Sequence, residues 1–269
     1  MNNQVIDMFC QQIEMEFRQT IRPAILKKID KKLGEFPDEP KLLFLKGKYY
    51  FLSDEINQAS YWFYQSIQKG ANTADPYAYY SWTLLKQQAP DKAEDYVKQA
   101  LKLDGANPAS LLSAGLLAFS KKDYSRALDY CEQGIRTGVF LFEFLHLKIQ
   151  IFLETARPNG EIIPLIKQAQ RLGESHELDY LYAKLLYMNM QYDDCQKFCR
   201  KFLLKYPNSS YAEKMRHIVS KINSQGNNSQ QAKTKQDNKQ QSEQSARETK
   251  NVEKVPLETL LEELDQFIG

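Results

Sequence analysis

Residues 108–138 read PASLLSAGLLAFSKKDYSRALDYCEQGIRTG, and this stretch decides the fold. It opens after Asn107 with Pro108, a capping side chain followed by the one residue that fits the first helical place without losing a bond. An apolar run with small residues inside it, Gly115 among them, ends at Lys121-Lys122-Asp123, a polar turn. A second helical run follows with Ala127 and Gly134 on one side. Two short antiparallel helices can cross closely only where the contacting side chains are small, so Gly115, Ala127 and Gly134 mark the crossing.

The same arrangement recurs outward in both directions. Residues 40–70 read PKLLFLKGKYYFLSDEINQASYWFYQSIQKG and residues 75–105 read DPYAYYSWTLLKQQAPDKAEDYVKQALKLDG. Steps of 34 lead from Pro40 to Ala74 and Pro108, a step of 35 to Glu143 and a step of 33 to His176, with a first unit near Ile6. Small residues keep the register. Gly47, Ser81, Gly115 and Ala183 stand at the eighth place. Ala59, Ala93, Ala127 and Cys195 stand at the twentieth, and Ser66, Ala100, Gly134 and Ala169 at the twenty-seventh. Asp75-Pro76 marks a helix start like Asn107-Pro108. Turns between paired helices fall at Ser53-Asp54, Ala89-Pro90-Asp91 and Arg157-Pro158-Asn159-Gly160.

A helix–turn–helix unit recurring about every 34 residues resembles the tetratricopeptide repeat (TPR). Residues 40–138 carry the resemblance best, 178–209 carry it in their second half, and 143–175 and the N-terminal unit are degenerate. The resemblance implies an all-α, right-handed α-solenoid of about six units near 6–39, 40–73, 74–107, 108–142, 143–175 and 176–209. Residues 210–222 would form a terminal cap, making 1–222 the solenoid. The cap helix would set Tyr211, Met215, Ile218, Val219 and Ile222 against the last unit, with Glu213, Lys214, Arg216 and Lys221 outside.

Residues 223–252, rich in Gln, Asn, Ser and Lys, hold no aromatic residue and bury too little to order themselves, so a disordered linker is expected. Apolar residues return at 253–269. Leu257, Leu260, Leu261, Leu264, Phe267 and Ile268 form one stripe of a short amphipathic helix, and Glu258, Glu262, Glu263 and Asp265 lie opposite. About a dozen residues are too few for a helix that is stable alone, so this tail reads as a tethered docking motif. The alternative is that it packs back as one more helix of the row.

The 269 residues are 42% hydrophobic, and 36 Lys plus Arg against 34 Asp plus Glu leave a net charge of +2. That balance predicts no nucleic-acid partner. The charge is uneven, however: residues 253–269 carry −4. The start lacks a secretory pattern, and no run is long enough for a membrane span. Cys10, Cys131, Cys195 and Cys199 read as free thiols of a reducing compartment, hence a cytoplasmic or nuclear location. His146, His176 and His217 are scattered. Cys195 and Cys199 fall at core places of the repeat, where a thiol behaves as a small hydrophobe. No metal site, cofactor, phosphate loop, nucleophile motif or small-molecule substrate is predicted, so the chain reads as a non-enzyme.

In the family that the chain resembles, the first helix of each unit lines a concave groove. This implies groove residues Phe44, Lys48 and Phe51, then Trp82 and Leu85, then Leu112, Leu116 and Phe119, then Ile151, and finally Tyr180 and Tyr187. Family members that hold the acidic C-terminus of heat-shock chaperones use a Lys/Asn clamp. Phe44, Lys48, Ala78, Trp82, Leu112 and Leu116 stand at those places here, so that role is not expected. An apolar, aromatic groove implies a protein partner presenting an amphipathic helix or a hydrophobic peptide. The expected function is a protein-protein interaction scaffold with the tail as second docking motif. The alternatives are a dedicated chaperone for an assembly or secretion subunit, or a binder whose tail occupies its own groove. A degenerate first unit fits a cap and a self-association surface equally, so the sequence assigns no oligomeric state.

Overall fold

The computed structural model describes residues 2–224, and among the described residues every regular element is an α-helix. Residues 225–269, which hold the tail and all but the first two residues of the expected linker, lie outside them, and residues 223 and 224 continue the last helix. The chain divides into two compact units, one over Met1–Ser175 and one from His176 on. The first holds α1 (Asn2–Gln19), α2 (Pro23–Glu35), α3 (Pro40–Leu52), α4 (Ile56–Gln68), α5 (Ala74–Lys86), α6 (Pro90–Leu103), α7 (Pro108–Ser120), α8 (Tyr124–Thr137), α9 (Leu141–Glu154) and α10 (Asn159–Leu172). The second holds α11 (His176–Met188) and α12 (Tyr192–Lys205), followed by a helix α13 over residues 212–224.

In the first unit α3 pairs with α4, α5 with α6, α7 with α8 and α9 with α10. The second helix of each pair also packs on the first helix of the next, and α5 and α7 pack side by side. This is a helical solenoid, in which each pair buries an apolar face that it cannot bury alone.

All twelve small places that set the register are buried. Their reason is steric. A Cβ on Gly134 of α8 would stand 2.0 Å from the ring of Phe144 on α9. A Cβ on Gly47 of α3 would stand 2.5 Å from Phe63 on α4. Phe63 and Phe144 are both fully enclosed, and each fills the space that a glycine vacates.

The turns share one construction. Asp54, Gln88, Lys122, Ala156 and Met190 all adopt left-handed backbone with φ of 52–60°, and they recur every 34 residues. In each, the left-handed residue and its successor donate back to the preceding helix. Lys122 N–H reaches Phe119 O at 2.9 Å and Asp123 N–H reaches Ala118 O at 2.9 Å. This is the Schellman closure, which satisfies carbonyls left open at a helix end. The extra residue of the 35-residue step lies in one such turn. α10 starts three residues after Ala156, whereas α4, α6, α8 and α12 start two after theirs.

The helix starts are only partly as expected. Asn107 Oδ1 caps α7 by accepting from Ser110 N–H at 3.0 Å, and Asp123 caps α8 in the same way. Asp75 is not a cap. α5 begins one residue earlier, at Ala74, and the Asp75 carboxylate accepts from Asn107 Nδ2 at 2.8 Å, tying the starts of α5 and α7 together. α13 buries Met215 and Ile218 and exposes Glu213, Lys214, Arg216 and Lys221.

Candidate peptide-binding site

Four of the groove residues expected from sequence meet in one place. Trp82 and Leu85 on α5, and Leu116 and Phe119 on α7, line a cavity of about 400 Å³. Lys86, Gln88, Pro90 and Ser120 complete it, so the polar groups stand at one end of an apolar wall. The packing of α5 on α7 turns the residues one helical turn apart on each toward the same side.

Trp82 is held firmly. Its ring lies 4.7 Å from Phe51, 5.9 Å from Tyr79 and 6.0 Å from Phe140. It is 9% exposed, with that remainder facing the cavity that it lines. Such a ring can offer an edge to a ligand without losing rotamer freedom on binding. Phe140 reaches Trp82 from the connection before α9, on left-handed backbone with φ of 52°. Lys86 lies 5.4 Å over the Phe51 ring and 3.8 Å from Asp54, leaving its charge at the rim.

The other expected residues divide. Phe51 backs Trp82. Phe44 packs 5.5 Å from both Phe63 and Tyr79 and lines a different cavity with Glu14, Glu39, Lys41 and Asp75. Lys48 is paired with Glu14 of α1 and lies over Phe17 and Tyr79, so its charge is committed within the fold. Leu112 and Ile151, 1% and 2% exposed, sit in the core of the first unit. The resemblance implied groove places for both, but the packing of α7 and α9 encloses them.

In the second unit, Tyr180 and Tyr187 of α11 line a cavity of about 490 Å³ together with Lys184 and Met188. Its far wall was not anticipated: Lys214, His217, Ile218 and Lys221 come from α13, which the sequence marks only as a cap. The residues Leu257, Leu260, Leu261, Leu264, Phe267 and Ile268 lie outside the described residues.

Cys195 and Cys199 are fully buried. Their sulfurs lie 3.2 Å from Ala183 O and 3.6 Å from Met215 Sδ. Burial pushes the Cys199 and Cys131 thiols up to about 12 and the Cys10 thiol to about 11. Among the described residues no group of three His, Cys, Asp or Glu side chains is placed to hold a metal ion. No helix there is long and apolar enough to cross a membrane.

The sequence matches no family model and no curated protein. Solved structures share the arrangement of helices. PilW, a widely conserved type IV pilus biogenesis factor, superposes with a TM-score of 0.61 at 14% identity, over 78% of this chain and 98% of its own. A tetratricopeptide repeat protein from Parabacteroides merdae gives 0.56 at 11% identity, over 80% and 83%. A thermophilic TPR protein of Thermus thermophilus gives 0.54 at 12% identity, over 68% and 98%. The chain therefore has the fold of the tetratricopeptide-repeat proteins.

Proposed function

We propose that this protein is a non-enzymatic interaction scaffold that seats an apolar or amphipathic segment of another protein between α5 and α7. The observation that carries this is the cavity lined by Trp82, Leu85, Leu116 and Phe119, with Lys86, Gln88 and Ser120 at its edge. Its aromatic wall is backed by a cluster of tilted and edge-on rings, and preorganised aromatic anchors dominate binding energy at protein interfaces. A cavity of about 400 Å³ suits one or two large side chains, and flanking polar groups can fix the peptide backbone. The apolar tail residues Leu257, Leu260 and Leu261 serve in this reading as a second docking motif. The fold likeness to PilW is shared with repeat proteins whose descriptions name no process, so it supports a scaffold in general and no one pathway.

Selection of displayed peptides on the full chain, followed by calorimetry on the enriched sequences, tests this. The expected winners carry two or more large apolar residues at helical spacing. Leu116→Glu places a charge in the cavity wall and should weaken them by more than about tenfold. Winners that bind Leu116→Glu and Leu85→Glu as well as the parent would refute the site.

A further inference from the structure

We infer that the cavity between α11 and α13 is the docking site of this chain's own acidic segment 257–268. The inference is independent of the α5–α7 cavity, because it concerns a different cavity in a different compact unit, and it gives the tail a place within the chain from which a second partner would have to displace it.

Three observations lead to it. First, the cavity is apolar at its base and basic at its edge. Tyr180, Tyr187 and Ile218 line it, together with Met188, which stays 57% exposed. Lys184, Lys214 and Lys221 stand around them, and none of the three is ion-paired within the described residues. Lys214 stacks over Tyr180 and Tyr211, which fixes its charge at the rim. The one carboxylate in the wall, Glu213, is already bound to Arg216. An apolar groove ringed by unpaired ammonium groups asks for an apolar stripe flanked by carboxylates.

Second, the segment has that chemistry. On a helix, Leu257, Leu260, Leu261 and Leu264 would fall on one side, with Glu258, Glu262, Glu263 and Asp265 on the other. Three other cavities fit it less well. The one beside Phe44 carries Glu14, Glu39 and Asp75, which repel it, and the one between α5 and α7 offers the single cation Lys86. In the one lined by Val97 and Leu101, the cations are already paired, Lys98 and Lys121 with Glu94 and Arg126 with Asp123.

Third, the tether is suitable. Lys221 is itself in the cavity wall, three residues before Ser224. The 32 residues between Ser224 and Leu257 have a root-mean-square span of roughly 30 Å if flexible. The site therefore lies well within reach, at an effective concentration on the order of millimolar. Contacts too weak to hold a free peptide suffice at that concentration.

The test is nuclear magnetic resonance on the intact chain, with synthetic peptide 253–269 as the reference for the free state. The amide resonances of Leu260, Leu261 and Leu264 should differ from the peptide's and stay unchanged when the protein is diluted about tenfold. In Lys184→Glu/Lys221→Glu they should move to the peptide positions, with the docked population reduced about tenfold or more. Met188→Asp, a change at an exposed side chain, should act the same way, and circular dichroism confirms that each variant keeps its helices. Three results overturn the proposal: tail resonances identical to the free peptide's, shifts insensitive to all of these substitutions, or shifts that appear only as concentration rises, which would indicate a second copy.

Discussion

Gly134→Ala is expected to destabilise the first unit although it replaces the poorest non-proline helix former with the best. Gly134 lies in α8, where the exchange by itself would contribute up to about 1 kcal/mol. The new methyl group, however, would stand 2.0, 2.2 and 2.4 Å from three atoms of the Phe144 ring. Carbon atoms prefer about 3.5–4.0 Å, so the ring or the helix must give way by more than an ångström. Phe144 is 0% exposed and has no free direction to move in. Overpacking of that kind costs about 1–3 kcal/mol, and the overlap here belongs at the upper end. The net expectation is a loss of about 2 kcal/mol, seen as a lower urea midpoint at unchanged slope and a melting temperature down by about 4–8 °C. Gly34→Ala is the control, since its Cβ meets nothing within 4 Å and α2 should gain stability. Gly134→Ala/Phe144→Leu should recover part of the loss, with a coupling of about 1 kcal/mol or more. If Gly134→Ala is stabilised like Gly34→Ala, or if the double variant is simply additive, small residues at the crossing are not what sets the repeat.

The left-handed turn residues give the opposite sign. Replacing Gln88, Lys122 and Ala156 together by glycine should raise stability by about 1–3 kcal/mol, measured by denaturation, because each now holds a side chain at positive φ; a loss would mean that those side chains contribute contacts worth more than the strain. Alkaline pH should destabilise the chain in part through its buried thiols, beside buried tyrosines such as Tyr79 that burial pushes up in the same direction. A Cys131 thiol that ionises near 9.0 when unfolded and about 12 when folded favours the folded state below pH 9 and loses that advantage as pH rises from 9 to 12. Cys131→Ala should therefore flatten the fall in unfolding free energy between pH 9 and 11 by about 2 kcal/mol, and equal slopes would refute the assignment.

The repeat, the helix order and the crossing residues were legible in the sequence because they depend on local chemistry. A 3.6-residue apolar rhythm, a capping Asn before a Pro, and a side chain small enough for a neighbouring helix can each be read in place, and their 34-residue recurrence reinforces them. The left-handed turns were harder to see, because Gln88, Lys122, Ala156 and Met190 replace the glycine that would announce that conformation. Only the tertiary structure decided which apolar residues face outward. Leu112 and Leu116 lie about one turn apart on the same helix, yet the first is enclosed in the core and the second lines a cavity, because positions four apart differ by about 40° around the helix axis. The same holds for Asp75, which bonds Asn107 across two helix starts instead of capping its own. It holds also for the lysines of α13, which become the edge of a cavity only once that helix is laid beside Tyr180. Spacing along a chain fixes which residues share a helix face; packing between helices fixes whether that face meets protein or water.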